Sequence, residues 1–286
     1  MDDIKDKLEF FSKMYDAVRL VDPTHKRVLD YQGPSLMETP EVCYDYWGNG
    51  KICDNCISVR AFNEDKSFVK LERKTETVLL VTAVPIENTD RPVVLELLKN
   101  ATDTMLIGSG DYNEGEQFGR FASKMNDMIV KDSMTPLYNR RFVDERLPID
   151  VIDATLKHMP LSVCFMDLDN FKSINDIYGH ESGDLVIKAV AEVIAGHIRF
   201  EHDWAARYGG DEFLLCLNNT DEERANFIAQ RIKNSIEKIP IKISEGDVCL
   251  SVSFGVKTMK EDKMTAEELI NFADQNMYRA KEKKQW

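Results

Sequence analysis

The 286-residue chain has no run of about 18 apolar residues, the length a membrane-crossing helix needs. Its first residues, Met1 to Lys13, are charged and lack the apolar centre of a secretory signal. Basic charge is in short supply: 37 Lys and Arg stand against 50 Asp and Glu, for a formal net charge of −13. That balance argues against the cationic footprint that a nucleic-acid polymer requires. Cysteine is sparse, with six residues (Cys43, Cys53, Cys56, Cys164, Cys216 and Cys249) that do not suit a disulfide framework in a chain of this size. Internal repeats and low-complexity tracts are missing. These absences predict a cytoplasmic protein with no membrane and no nucleic-acid partner. Nucleotide binding stays open, because Mg²⁺ can bridge carboxylates to phosphates.

The length suits two domains, and 43% hydrophobic residues can fill a core in each. Residues 1–107 mix a short helical start with strand-like runs at Ala17 to Val21, Arg27 to Tyr31, Phe68 to Arg73, Thr77 to Ile86 and Val93 to Leu98. Turn signals such as Asn88-Thr89-Asp90 predict antiparallel hairpins and an α+β domain. Residues 108–131 read as a loop (GSGDYNE) followed by a helix from Glu116. Phe118, Phe121, Met125, Met128 and Ile129 recur there at helical steps. That helix either packs on its own domain or pairs with its twin in a dimer.

From residue 132 to 286, strands and helices interleave around one predicted sheet. Leu161, Val163 and Phe165 alternate in a strand that ends at Asp167. Val186, Ala189, Val190, Val193 and Ile194 mark a buried helix face. Trp204 to Tyr208 and Phe213 to Leu217 flank Gly209-Gly210 as a hairpin. Thr220 with Glu223, and Thr265 with Glu268, read as capping boxes. Val248 to Val256 reads as one further strand.

Two acidic sites stand out. Asp167 ends an apolar strand, and Asp211-Glu212 follows the glycine pair between two other strands. Carboxylates so placed could cage a hard cation, and Mg²⁺ favours one or two of them together with substrate phosphates. Taken singly, each is as readily a solvated turn.

Several longer strings change that balance. RYGGDEF (Arg207 to Phe213), DSMTPLYNRR (Asp132 to Arg141), DLDNFKSINDIYGHESGD (Asp167 to Asp184), LSVSFGV (Leu250 to Val256) and ADQNMYRAK (Ala273 to Lys281) occur in this order. Together they resemble the GGDEF family of diguanylate cyclases over roughly residues 130 to 286. The resemblance implies a palm-like domain, a central and mostly antiparallel sheet surrounded by helices. It also implies condensation of two GTP molecules into cyclic di-GMP with release of pyrophosphate, in a homodimer that brings two GTP-loaded sites face to face.

Site roles follow from the same resemblance. Asp167, the carbonyl of Leu168, and Asp211 would hold Mg²⁺, two ions per site, with Mn²⁺ as a substitute. Asp211 would take the 3′-hydroxyl proton, Lys172 would stabilise phosphate charge, and Glu212 would add ligand charge or position the loop. Gly209 and Gly210 would let the nucleotide approach the backbone. Phe171, Asn175, His180 and Asp184 would bind the guanosine, and Lys281 the γ-phosphate. Asp184 suits guanine because a carboxylate accepts from both N1–H and the 2-amino group, which adenine lacks.

There are departures from the family pattern. Phe200 stands where an inhibitory RxxD site would have its arginine, so that product site is expected to be lost, although Arg231 persists. Gln285 stands where an arginine often follows Lys281, leaving Lys283 or Lys284 as neighbours. Met134 and Pro136 replace the usual Leu and Gly of the opening string.

The segment from about residue 10 to 105, with VRLVDPTHKRVLDY near its start, resembles PAS sensor domains. Within it, Cys43, Cys53 and Cys56 could bind Zn²⁺ or an iron–sulfur cluster, form a redox pair, or be inert thiols. His25 or a water would complete a four-ligand set. The rivals to an active cyclase are a catalytically idle GGDEF module acting as a GTP or cyclic di-GMP receptor, and a cyclase with another nucleotide product.

Overall fold

The computed structural model describes residues 8, 10–32, 35–48, 50–87, 89–102, 115–199, 202–238, 240–243, 246–260 and 264–282. The chain divides into two compact units, Met1–Ile129 and Val130–Trp286. No helix among the described residues is long and apolar enough to cross a membrane.

The N-terminal unit is built on one antiparallel sheet. Its strands are β1 (Ala17–Asp22), β2 (Arg27–Gln32), β3 (Ser35–Val42), β4 (Phe68–Lys74), β5 (Thr77–Pro85) and β6 (Val94–Asn100), in the order β3-β2-β1-β6-β5-β4. A 3₁₀ turn (Cys43–Trp47) and helix α1 (Ile57–Glu64) join β3 to β4. Period-2 alternation gives the sheet two apolar faces. Val21, Trp47, Ile57, Val81 and Leu98 fill one core, and Leu20, Leu29, Leu95 and Leu97 fill the other. Charge is also buried here. Arg19 and Glu96 are directly paired across β1 and β6; their side chains form an ion pair, and Glu96 also accepts from Ser58.

Helix α2 (Gly115–Val130) closes this unit. Asn126 anchors it, donating to the Leu71 carbonyl at 2.7 Å and accepting from Asn55 at 2.8 Å. Ala122 is buried, whereas Met125 and Met128 are exposed. The predicted loop at residues 108–114 and the side chains of Phe118 and Phe121 lie outside the described residues.

The C-terminal unit comprises α3 (Arg140–Lys157), β7 (Leu161–Leu168), α4 (Phe171–His197), β8 (Trp204–Arg207), β9 (Glu212–Asn218), α5 (Glu222–Lys238), β10 (Ile241–Ile243), β11 (Gly246–Val248), β12 (Val252–Met259) and α6 (Ala266–Glu282). The main sheet runs β12-β7-β9-β8 with every pairing antiparallel, and β10-β11 is a separate hairpin. That order puts β7 and β9 at the centre, and Leu161 to Met166 of β7 are all buried. Val186, Ile187, Val190, Ala191 and Ile194 of α4, with Ala225, Ile228, Ala229, Ile232 and Ile236 of α5, complete the core. On the other side, a Cβ on Gly255 would fall closer than 3.0 Å to backbone atoms of Ala273, Asn276 and Met277. Only glycine lets β12 and α6 approach that closely.

Two expectations need correction. The predicted strand from Val248 to Val256 is two strands, because the Ser251 carbonyl turns aside to accept from the Asp169 N–H at 2.9 Å. The Thr220–Glu223 box does not form. Asp221 caps α5, accepting from the Arg224 N–H at 2.9 Å, and Thr220 Oγ1 instead accepts from Arg199 at 3.0 Å. The second box does form, with Thr265 N–H donating to Glu268 at 2.8 Å and Glu268 N–H to Thr265 at 3.2 Å.

Candidate active site

The site grows from the end of β7. Asp167 is the penultimate residue of that strand and pairs directly with Glu212 of β9 on one side and Ser253 of β12 on the other. The next residue, Leu168, donates its N–H to the Asp211 carbonyl at 3.3 Å. Backbone pairing therefore converges Asp167, Leu168, Asp211 and Glu212 at one edge. The chain then turns through Asn170 in left-handed backbone (φ 59°), a conformation asparagine tolerates, and enters α4. Ser253 Oγ holds this turn by donating to Asp169 Oδ1 at 2.7 Å.

The opposing hairpin is equally constrained. Tyr208 N–H donates to the Glu212 carbonyl at 2.8 Å, and Arg207 donates to the Gly210 carbonyl through Nε at 3.1 Å and Nη2 at 2.8 Å. A Cβ on Gly209 would fall closer than 3.0 Å to Glu212 Oε2. Glycine there leaves room for the carboxylate.

Like charges crowd this edge. Burial raises the Asp167 carboxyl above its ordinary range against the lowering bond from Lys281, with Asp211 and Asp169 adding repulsion. Glu212 is raised by burial first, then by Asp167, Asp211 and Asp274. Lys281, on the last turn of α6, forms an ion pair with Asp167 Oδ1. Burial works against its ammonium form, but the bond to Asp167 and the nearby acids outweigh that and raise it. The set of oxygen donors suits a hard divalent cation such as Mg²⁺.

A second group lies along α4, whose helical path breaks at Gly179 (φ 80°, ψ 164°). A Cβ on Gly183 would fall closer than 3.0 Å to Asn175 Oδ1 and 3.2 Å from Phe171 Cζ. Asn175 and Phe171 are thus packed over the turn that carries Asp184. Asp184 and His180 are exposed, as is Lys172 on the first turn. Beside this helix, Asp169, Asn170, Tyr178, Cys249 and Ser251 help line a cavity of about 220 Å³.

Ser251, Ser253, Asp274 and Arg207 lie within the family strings but carry no individual signal there. Their role becomes legible only once strand register puts Ser253 beside Asp167. In the segment that precedes β8, Arg199 forks onto buried Asp203 at 2.7 and 2.8 Å. Arg231 is exposed and donates to the His197 carbonyl at 2.8 Å. Phe200, Lys283, Lys284 and Gln285 lie outside the described residues.

In the N-terminal unit, Cys53 and Cys56 lie near enough to Cys43 to oppose its ionisation, and all three are free thiols. Burial pushes Cys53 up to about 12 and Cys43 higher still. Among the described residues, no cysteine belongs to a group of three ligand atoms within 4.8 Å of one another. His25 is not their fourth ligand, because the β1–β2 turn carries it to Asp22 and Glu38 instead.

Residues 129–285 match the family described as diguanylate cyclase, GGDEF domain. Diguanylate cyclase DosC of Escherichia coli is 37% identical over 154 residues, covering 54% of this chain and 33% of that protein. Diguanylate cyclase A of Treponema denticola is 39% identical over 163 residues, 56% of this chain and 44% of that protein. The chain thus spans between a third and a half of the length of these curated relatives. Among solved structures, the GGDEF domain of TpbB (YfiN) from Pseudomonas aeruginosa is 40% identical with a TM-score of 0.50, covering 53% of this chain and 88% of that one. The GGDEF domain of DgcB from Caulobacter crescentus, in complex with c-di-GMP, is 27% identical with a TM-score of 0.52, covering 55% and 89%. Through residues 129–285, more than half its length, the chain belongs to the GGDEF-domain family of diguanylate cyclases.

Proposed function

We propose that the C-terminal unit is an active diguanylate cyclase that joins two GTP molecules into cyclic di-GMP and releases two pyrophosphates. The observation that carries this reading is the convergence of Asp167, Asp211 and Glu212 beside a glycine hairpin, with Lys281 paired to Asp167. An idle module would have little use for like charges held together at a cost in repulsion.

In this reading Asp167, Asp211 and the Leu168 carbonyl hold Mg²⁺, or Mn²⁺ in its place. When bound, the ion supplies a Lewis acid that neutralises phosphate charge and acidifies the attacking 3′-hydroxyl. Asp211 takes that hydroxyl's proton, and Glu212 keeps the hairpin carboxylates in register. Lys172 and Lys281 offset charge on the phosphates. Phe171, Asn175, His180 and Asp184 hold the base, and the Asp184 carboxylate selects guanine by accepting two donors that adenine lacks. Each attack needs a second GTP-loaded subunit, so the working form is a homodimer. The N-terminal unit, a PAS-like sensor in this reading, sets how often the two sites face each other.

Chromatography of the nucleotides formed by purified protein with GTP and Mg²⁺ tests the proposal. Cyclic di-GMP from the wild type and none from a folded Asp211→Ala variant is the expected result. GTP binding without any product from the wild type would turn the reading to a receptor.

A further inference from the structure

His25, exposed at the turn between β1 and β2, faces two carboxylates. Its Nδ1 lies 3.2 Å from Asp22 Oδ2 and 3.1 Å from Glu38 Oε1. Glu38 reaches this place because β3 pairs with β2, with Leu29 opposite Glu38. The three donor atoms lie within 4.8 Å of one another.

Asp22 is fully buried. Its Oδ1 is occupied, accepting from the Thr24 N–H at 2.8 Å and the His25 N–H at 2.9 Å. Its Oδ2 is buried without a hydrogen-bond partner and points into the cluster. One proton on Nδ1 serves the Glu38 oxygen, with which it makes a hydrogen bond, and leaves Asp22 Oδ2 unsatisfied. A buried carboxylate oxygen left so is costly. A single cation among the three atoms would satisfy all of them at once. Arg91, 3.2 Å from Glu38 Oε1, offsets only the outer carboxylate.

We propose that Asp22, His25 and Glu38 form a binding site for a divalent transition cation of the Zn²⁺ class. One imidazole and two carboxylates are ligands that such ions accept. In a tetrahedral zinc site, ligands about 2.0–2.1 Å from the metal stand roughly 3.3 Å from one another. The two separations from His25 Nδ1 match that edge. Side-chain exposures of 43% for His25 and 35% for Glu38 leave an entry path and room for a water ligand. The ion would pin the β1–β2 turn to β3. This site stands apart from the nucleotide reading and does not depend on it.

The test uses the full chain stripped with EDTA. Zn²⁺ is titrated against a chromophoric chelator in Mg²⁺-free buffer for wild type, His25→Gln, Glu38→Gln, and a Cys43→Ser/Cys53→Ser/Cys56→Ser variant. Circular dichroism checks that each is folded. The wild type and the cysteine variant are expected to share one tight equivalent that His25→Gln weakens at least tenfold and Glu38→Gln weakens as well. X-ray absorption at the zinc edge, with one equivalent on the wild type, is expected to give only nitrogen and oxygen ligands. Unchanged affinity and stoichiometry in His25→Gln would overturn the site, as would sulfur in the first coordination shell.

Discussion

Lys281 on the last helix and Asp167 on a central strand, 114 positions apart in sequence, form an ion pair at the edge where the acidic residues of the C-terminal unit gather. Each is the group on which the nucleotide reading depends, Asp167 for the cation and Lys281 for the terminal phosphate. In the free protein they neutralise one another; with the substrate bound, each would exchange its partner for one of opposite charge on the ligand.

Lys281→Met should therefore weaken GTP binding more than it slows turnover. Losing one hydrogen-bonded charge to phosphate costs about 1.5–3 kcal/mol, equivalent to roughly a ten- to hundredfold rise in KM. Steady-state kinetics with GTP and Mg²⁺ check this, and an unchanged KM would remove Lys281 from the phosphate site.

Crowded carboxylates leave a signature in stability. The Glu212 carboxyl is raised in the folded protein, first by burial and then by Asp167 and Asp211. Its ionised form is therefore a liability that appears as pH rises from the ordinary glutamate value through the raised one. In EDTA at pH 7 to 8, Glu212→Gln should melt about 1–3 °C higher than wild type, a small gain because solvent screens part of the repulsion. Near pH 4 the difference should vanish. A variant that melts lower at neutral pH would show that Glu212 stabilises the hairpin.

Two glycines should respond differently to alanine. At Gly255 the added methyl group meets helix backbone that cannot step aside, so Gly255→Ala should cost about 1–3 kcal/mol or more and lower the Tm of the C-terminal unit. At Gly209 the methyl group meets the free end of Glu212. Gly209→Ala should melt close to wild type yet lose at least tenfold in activity as the carboxylate is displaced. Thermal melts and product formation, measured side by side, separate the two.

Asp184→Ser should narrow the preference for GTP over ATP by at least tenfold, since it removes a carboxylate that adenine leaves unpaired. Competition between the two nucleotides reads this directly. An unchanged preference would assign base selection to Asn175 or His180.

Much of this architecture is written in local pattern. The alternation in Leu161 to Phe165 locates a central strand, and Thr265 with Glu268 marks the start of the last helix. Other elements are hidden because polar groups face inward. Helix α3 contains Pro148 and buries Asp150, which accepts from Trp204 Nε1 at 2.6 Å and from Arg146 at 2.9 Å, so its apolar period is broken. Strand β3 is hidden for a different reason, since none of its eight residues is fully buried. The acidic edge was legible as strings, but its electrostatics were not: Ser253, Asp274 and Lys281 reach it through register and tertiary packing. Asp22 and His25 meet within one turn, but Glu38 joins them only through the pairing of β2 with β3, which spacing along the chain does not reveal.

The exposure of Cys249 has a practical consequence for labelling chemistry. The thiolate is the nucleophile that attacks alkylating reagents, and burial suppresses it. Cys43, Cys164 and Cys216 are buried, Cys53 and Cys56 are partly shielded, and Cys249 is the one exposed thiol of the six. It also borders the cavity shared with Asp169 and Asn170, on the loop that leads from the acidic edge into α4. A fluorine or fluorescent tag placed there by brief treatment with a maleimide or haloacetamide needs no engineered cysteine. It would act as an optical or magnetic reporter beside the acidic edge in the native sequence.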